Sequence, residues 1–401
     1  MVWIISEIYY PDEDGTAYYL TRLAEYLAGY YAVRVICGIP KYSARGAAVP
    51  RSEVRRGVRI ERCLDVSLNK NILACRIVNA VFTSLSMFFK TLRRVHAGDT
   101  VIVVTNPPVL PFLASIASQL RGARCILRID DVYPEAMIAA GLVRGDGLSA
   151  RVMRFLNGIL YRSMDRVVVL GRDMKDLVSV RMNGKRSRIR LIQNWADTDS
   201  VKPSPKAANR LLRELGLMDK FVVQCAGNMG RVQAVETMFG AAERMKDDGR
   251  IHFLFIGQGA KRKWMENEKL QKGLDNVTLL DYRPRAEQDV FLNACDISMA
   301  SLVCGLNGAG VPSRMYNVLS AGKPLIAMAS PETELCKVVT EENIGWCVAP
   351  DDPDGLAVAI WDALSDQARL EHFGKKARRA AVEKYSSEVI LARYRSLLED
   401  D

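Results

Sequence analysis

Short apolar runs, each closed by polar, glycine or proline positions, alternate along this chain with segments of helical spacing. "VWIIS" (2–6), "VRVICG" (33–38), "TVIVVTNPP" (100–108), "ARCILRIDD" (123–131) and "DRVVVLG" (165–171) form a first series. "FVVQCAGNMG" (221–230), "IHFLFIGQG" (251–259), "VTLLDYRP" (277–284), "DISMAS" (296–301), "PLIAMAS" (324–330) and "GWCVAP" (345–350) form a second. Runs that are apolar throughout predict strands covered on both faces, hence parallel sheets clothed by helices. Between the two series, "IRLIQNWADTDSVKPSPKAA" (189–208) starts strand-like and turns polar and proline-rich, which predicts a linker.

The expected fold is α/β, with two Rossmann-like, doubly wound domains at about 1–200 and 201–385. The amphipathic closing run, about 386–401, is expected to cross back to the first domain. Ligands of such sheets bind beyond the carboxyl ends of the strands, and two such edges facing each other would form a cleft.

One helical segment is unusual. "LACRIVNAVFTSLSMFFKTLRRV" (73–95) is apolar or small from Leu73 to Phe89 apart from Arg76 and Asn79. It is short for a transmembrane span, which needs about 20 apolar residues. Two readings stand: burial against the first sheet, or an exposed face of Val81, Leu85, Phe88 and Phe89 in a bilayer interface. In the second, Lys90, Arg93 and Arg94 meet lipid phosphates.

Composition narrows the classes. Hydrophobic (49%) and charged (25%) shares are ordinary for a soluble protein. The chain opens on a strand, so no signal peptide is expected. Nine scattered cysteines without a Cys-x-x-Cys are expected as reduced thiols of a cytoplasmic protein. His96, His252 and His372 have no second ligand nearby in sequence, so no metal is expected. The net charge of +10 is uneven: residues 1–200 hold 29 Lys+Arg against 18 Asp+Glu. A basic half calls for an anionic partner, either a membrane surface or a phosphorylated substrate, unless the arginines serve solubility alone. No nucleic-acid module is visible, and no nucleic-acid partner is expected.

Three motifs carry candidate chemistry. In "GNMGRVQAVETM" (227–238), Gly227, Asn228, Gly230 and Arg231 follow a strand and precede a helix, a backbone cradle plus one cation for a diphosphate. Gly257 and Gly259, followed by Lys261 and Arg262, repeat the arrangement. A plain strand–turn–helix connection accounts for either turn as well. Neither is a Walker A loop or a full Gly-x-Gly-x-x-Gly fingerprint. In "GAGVPSRMYNVLSAGKPLIA" (308–327), Pro312 and Ser313 open a helix, Ser313 suits its N-cap, and Arg314 adds a cationic fork. In "RIDDVYPEAM" (128–137), Asp130, Asp131 and Glu135 sit at a strand's carboxyl edge, placed for hydroxyl contacts or proton transfer, or as a helix cap.

Taken together, "YYPDEDGTA", "TNPP", "DDVYPEAMIAAGL", "IQNWAD", "CAGNMGRVQAVETM", "YRPRAEQDVFLNACDISMASL", "VPSRMYNVLSAGKPLIA" and "IGWCVAPDDPDGLAVAI" resemble a family 4 retaining glycosyltransferase of the two-domain GT-B fold. The branch is that of bacterial O-antigen, capsule and colanic-acid enzymes, N-acetyl-fucosamine transferases among them. The resemblance implies a nucleotide-diphosphate sugar as donor, UDP ahead of GDP, bound by the C-terminal domain. It implies a polyprenyl-diphosphate-linked saccharide as acceptor, no cofactor, and a cytoplasmic site with peripheral contact to an anionic membrane. Arg231 and Arg314 match phosphate-facing positions, with Gly15, Gly227, Asn228, Gly230, Gly257, Gly259, Pro312, Ser313 and Asn317 on the donor side. Asp130, Asp131 and Glu135 are assigned to the acceptor, and Asp131, Arg231 and Arg314 to catalysis. The chain departs from the family where two glutamates give way to Ala309 and Asn317, where Gln193 replaces a proline, and where Gly15 stands alone for two glycines. The family's common N-domain histidine is also missing; Asp130 or Asp131 occupies that region. A GT-B sugar-nucleotide 2-epimerase and an inactive GT-B-like partner subunit are the alternatives, the latter supported by Ala309 and Asn317.

Overall fold

A computed structural model describes residues 1–13, 15–40, 46, 48–64 and 73–400, apart from the side chains of 73, 74, 76 and 77. Asp14 of the acidic loop and the Arg76 side chain lie outside the described residues. The chain divides into two compact units: Met1–Pro134, Arg144–Ile192 and Leu391–Asp401 in the first, Glu135–Val143 and Gln193–Ile390 in the second.

The first unit carries β1 (Val2–Ser6), β2 (Val33–Cys37), β3 (Ser52–Arg55), β4 (Val58–Arg62), β5 (Thr100–Val104), β6 (Arg124–Arg128), β7 (Arg166–Val169) and β8 (Ile189–Leu191). They line up as β3-β4-β2-β1-β5-β6-β7-β8. Every pairing is parallel except β3 with β4. That hairpin turns at Arg56 and Gly57, both at positive φ (44° and 80°), as tight primed turns require. Its strands are short and largely polar, so the apolar-run pattern does not register them. Strand order reverses between β1 and β5, which places the first unit's switch point at the loops after those strands. The closing residues from Leu391 onward belong to this unit, and Arg124 there donates to the Leu397 carbonyl at 3.2 Å.

The second unit carries β9 (Phe221–Ala226), β10 (Ile251–Ile256), β11 (Val277–Leu280), β12 (Ile297–Ser301), β13 (Leu325–Met328) and β14 (Gly345–Val348), all parallel, in the order β11-β10-β9-β12-β13-β14. β9, β10, β12 and β13 are buried along their whole length, as the uninterrupted apolar runs predict. The order reverses between β9 and β12.

The stretch expected as a linker behaves differently. Val201 is fully buried in the second unit's core, and Ala196 donates to the Tyr385 carbonyl at 2.7 Å. The Asp197 amide donates to Asn317 Oδ1 (2.8 Å), and Arg378 donates to the carbonyls of Val201 (3.0 Å) and Thr198 (3.1 Å). Side chains more than 100 residues away thus satisfy a proline-rich backbone, and the division between units falls at Ile192/Gln193.

Helix Leu73–Arg94 is amphipathic in an inverted sense. Thr83, Ser84 and Met87 are fully buried, with Asn79 and Thr91 nearly so, while Val78, Val81, Phe82, Leu85 and Phe89 are exposed. Phe88, expected on the exposed face, is half-buried and meets Phe89 edge-on at 5.3 Å between ring centres. Among the described residues no helix is long and apolar enough to cross a membrane.

Candidate active site

In the second unit the turns after β9 and β10 are laced together by their backbones. The Gly227 amide donates to Ile256 O (2.8 Å), Met229 to Gln258 O (2.9 Å) and Lys261 to Met229 O (3.0 Å). The approach is closer than a side chain permits. A Cβ on Gly257 (φ +142°) would stand 2.0 Å from the Gly227 carbonyl oxygen, and one on Gly259 (φ +156°) 2.5 Å from that of Met229. The glycines of the two motifs are therefore one structure.

A third motif closes on this pair. Helix Arg314–Ser320 sends the Arg314 guanidinium back to the β9 turn, where it donates to Asn228 O at 2.8 Å. Its other arm points at Cys225 Sγ (3.5 Å), and its Cζ lies 3.2 Å from where a Gly227 Cβ would be. Ser313 occupies the N-cap position, but its side chain makes no capping bond. The physical reason is its αR backbone (φ −61°, ψ −21°); a capping side chain ordinarily needs the extended region. Pro312 is buried beside it, and Gly230 is half-buried at the end of the β9 turn. Arg231 is exposed, and among the described residues it has no hydrogen-bond or ion-pair partner.

The neighbouring cations are already engaged. Lys261 Nζ donates to Gln233 O (2.7 Å) and pairs with Glu236 (2.6 Å). Arg262 holds Leu280 O (2.7 Å), Gly257 O (3.2 Å) and Glu266 (2.7 Å). They staple the turns, whereas Arg231 has no partner among the described residues. Gln233 and Ser301 were not singled out by their sequence. Ser301 Oγ accepts from the Ala234 amide (3.1 Å) and donates to Gln233 Oε1 (3.3 Å), tying the Arg231 loop to the end of β12. Ala309 is buried in the core. Asn317 is buried too, its Oδ1 holding the Asp197 amide, so the structure places it in the fold's support rather than at a ligand.

In the first unit the loops after β1, β5 and β6 converge at the switch point. Helix Gly15–Leu27 starts at the exposed Gly15, and the Thr16 hydroxyl next to it hydrogen-bonds the Asp130 carboxylate. Thr105 Oγ1, just past β5, accepts from the amides of Asp130 (3.2 Å) and Asp131 (3.4 Å). Asp130 also pairs with the buried Arg128 at 3.1 Å. Burial pushes the Asp130 carboxyl up, and Arg128 and Thr16 oppose that shift. Tyr394 of the closing helix and Tyr19 border Arg128. Arg128 has a visible signal in sequence, a charge that closes a strand apolar from Cys125 to Leu127.

Asp131 differs from its neighbour. It is exposed, and among the described residues its carboxylate has no partner. Desolvation first, and the Asp130 charge second, raise it to about 7. Of two adjacent carboxyls, Asp130 is thus tied into the loops and Asp131 is left unbound. Glu135 starts a short helix, Glu135–Ala139, whose Ala136 and Ala139 pack on the second unit's core, and it belongs to that unit. The expectation that put it on the first domain's edge counted residues along the chain, and the chain changes units at Pro134.

Two family profiles divide the sequence. "Glycosyl transferase 4-like domain" matches residues 14–195 and "Glycosyl transferases group 1" matches residues 209–380. A Pseudomonas aeruginosa protein named as the glycosyltransferase WbjE is 31% identical, over 98% of this chain and 96% of its own. WcaI of Escherichia coli (strain K12), named for colanic acid biosynthesis, is 26% identical over 89% of this chain and 90% of its own. The crystal structure of Anabaena HepE in complex with UDP and glucose superposes with a TM-score of 0.77 at 13% identity, covering all of both chains.

The geometry sets two tests. Gly257→Ala forces the laced turns apart and is expected to cost about 1–3 kcal/mol of stability. Gly249→Ala, with no heavy atom within 4 Å of its new methyl group, is the neutral control. The Asp131 carboxyl, raised from 3.8 to about 7, makes the folded state hold its proton more tightly. Its contribution is therefore present below pH 4 and lost as pH rises through 7. Asp131→Asn should match wild type in melting temperature at pH 4 and exceed it at pH 8. The expected gain is about 2–4 °C, the shift of roughly 1 kcal/mol after discounting for solvent screening. Equal melting temperatures at pH 8 would contradict the raised carboxyl.

Proposed function

The chain belongs to the glycosyltransferases of the GT-B fold, and from that premise we propose that it transfers a sugar, with retention, from a nucleoside-diphosphate sugar to a lipid-linked saccharide in cell-surface polysaccharide synthesis. The observation that carries the donor side is the closure of three motifs on one another: the two glycine turns laced together and Arg314 laid against Gly227. Backbone amides, one fixed guanidinium and one unengaged guanidinium, Arg231, suit a diphosphate. UDP is the nucleotide of choice, in keeping with the UDP held by Anabaena HepE.

The chemistry follows from where charge develops. As the glycosidic C–O bond to the diphosphate breaks, negative charge grows on the leaving oxygen, and Arg231 and Arg314 stabilise it. In the front-face course, that oxygen takes the proton of the incoming acceptor hydroxyl, and the new bond forms on the face the diphosphate leaves. Asp131 contributes the acceptor-side carboxylate, accepting a hydrogen bond from a second hydroxyl of the acceptor saccharide and so orienting the one that reacts. The site is cytoplasmic, with peripheral contact to the membrane that holds the acceptor. A 2-epimerase would need an acid/base pair at the sugar nucleotide, whereas the groups at the 227–231 and 312–314 turns are guanidinium and backbone.

Nucleotide-sugar substrates carrying a labelled sugar test the reading directly: a labelled lipid-linked product is expected, and an epimerised nucleotide-sugar or unchanged substrate would overturn it. Arg231→Ala and Arg314→Ala should each weaken UDP binding by about 1.5–3 kcal/mol, the loss of one charge-assisted hydrogen bond. Calorimetric titration checks this, and unchanged UDP affinity in both variants would refute the diphosphate assignment. Among the described residues no three His, Cys, Asp or Glu side chains gather to hold an ion. We expect transfer to persist in EDTA; activity abolished by EDTA and restored by Mn²⁺ or Mg²⁺ would reject that expectation.

A further inference from the structure

We infer that Cys336 and Cys347 of the second unit are a peroxide-reactive dithiol, oxidised to a disulfide in which Cys347 is the attacking thiol and Cys336 the resolving one. The local fold sets the two level. Helix Glu334–Glu342 follows β13, turns at Asn343 (φ 51°) and Ile344, and the chain returns as β14. Cys336 lies six helical steps before Glu342, about 9 Å at about 1.5 Å each. Cys347 lies three strand steps past Ile344, about 10 Å at about 3.3 Å each. The two paths match, so residues 11 apart in sequence face each other. Alternation along β14 turns Trp346 to one face, where it meets Phe373 edge-on at 5.1 Å between ring centres. It turns Cys347 to the other face, against the helix.

The contacts join the two sulfurs. The Cys347 thiol donates to the Cys336 carbonyl at 3.5 Å, the Thr340 hydroxyl lies 3.5 Å from Cys347 Sγ, and the two thiols hydrogen-bond each other. Cys336 is buried, whereas Cys347 is exposed on a strand at the edge of the sheet, so one sulfur meets solvent and the other lies behind it. The hydrogen bond from Cys336 holds the Cys347 thiol below its ordinary value, against desolvation and with the help of the Thr340 hydroxyl. The same bond, with burial second, pushes the Cys336 thiol up. The exposed member is thus the one that becomes thiolate, the form that attacks. Burial pushes Cys37, Cys125, Cys225 and Cys295 up and closes them to solvent. Cys304 is exposed and shows no contact with a second cysteine among the described residues.

The oxidant is hydrogen peroxide. The Cys347 thiolate attacks one peroxide oxygen; the S–O bond forms as the O–O bond breaks, and the leaving hydroxide takes up the proton that Cys347 shed. The Cys336 sulfur then attacks the Cys347 sulfenic acid; the S–S bond forms, the S–O bond breaks, and the Cys336 proton leaves in water. Two thiols supply two electrons, and the peroxide becomes two waters. A dithiol reverses the step by exchange, being oxidised in its turn. In the reduced pair the Cys336 S–H also reaches Ala329 O (3.3 Å), just past β13. The disulfide withdraws that donor, so oxidation is felt at the carboxyl edge of the sheet.

The test uses the full chain, reduced, freed of reductant and treated with stoichiometric hydrogen peroxide at neutral pH. Wild type should lose two of its nine thiols, counted in denaturant. A digest should contain the peptides of Cys336 and Cys347 joined, and dithiothreitol should part them. Cys347→Ser should lose thiols at least about tenfold more slowly. Cys336→Ser should carry Cys347 as a sulfenic acid that dimedone traps; if that buried substitution fails to fold, Cys347→Ser on the exposed strand carries the test. Cys304→Ser should oxidise as wild type does, with the same joined peptides. Nine thiols surviving in wild type, Cys347 oxidised without Cys336, or a bond between another pair such as Cys37 and Cys63 would overturn the inference.

Discussion

Backbone-to-backbone approach at the turns after β9 and β10 is the constraint on which the rest of the second unit depends. The Gly227 carbonyl lies where a Cβ of residue 257 would be, so the two strands can end side by side with their turns bonded backbone to backbone. Arg314 can reach Asn228 O only because Gly227 presents no side chain in its path. The strand order reverses between β9 and β12, so the β9 turn, where Arg314 meets Asn228, borders the crevice at which a doubly wound sheet accepts ligands.

Around that junction, like residues are sorted by what already holds them. Lys261 and Arg262 are bound into carbonyls and carboxylates and stiffen the turns, while Arg231 faces solvent. The first unit sorts its carboxylates the same way. Asp130 is fixed by Arg128, Thr16 and the Thr105-centred loop, and Asp131, one residue on, keeps an unbound carboxyl at a raised pKa. Burial of one charge beside its partner thus leaves the next free to act.

In helix Leu73–Arg94 and helix Leu110–Leu120 small hydroxyl-bearing residues bond their own backbones on the buried side, and large apolar residues stay exposed. Of the cations that end the first of these helices, Lys90 and Arg94 pair with Glu61 at 3.8 and 3.4 Å.

The sequence by itself determined the architecture. Mainly apolar runs specify parallel strands covered by helices, and each of the quoted runs became a parallel strand, with β11 and β14 the partly exposed edges of the second sheet. The glycine turns and the Pro-Ser-Arg turn were legible because backbone geometry is a local property. Partnership was not. Asn317 looked available for a hydroxyl until Asp197, 120 residues earlier, proved to hold it. Glu135 looked adjacent to Asp131 until the chain changed units between them. The proline-rich stretch looked like a linker until Arg378 and Asn317 satisfied its backbone. The hairpin of β3 and β4 escaped notice because its short polar strands derive their pairing from each other and from β2. Which side of helix Leu73–Arg94 faces the sheet was equally undecidable from periodicity, because both faces are apolar or small. Tertiary packing chose the face of Asn79, Thr83, Ser84, Met87 and Thr91 for burial, where the hydroxyls of Ser84 and Thr91 are satisfied by their own helix and so carry little cost away from water.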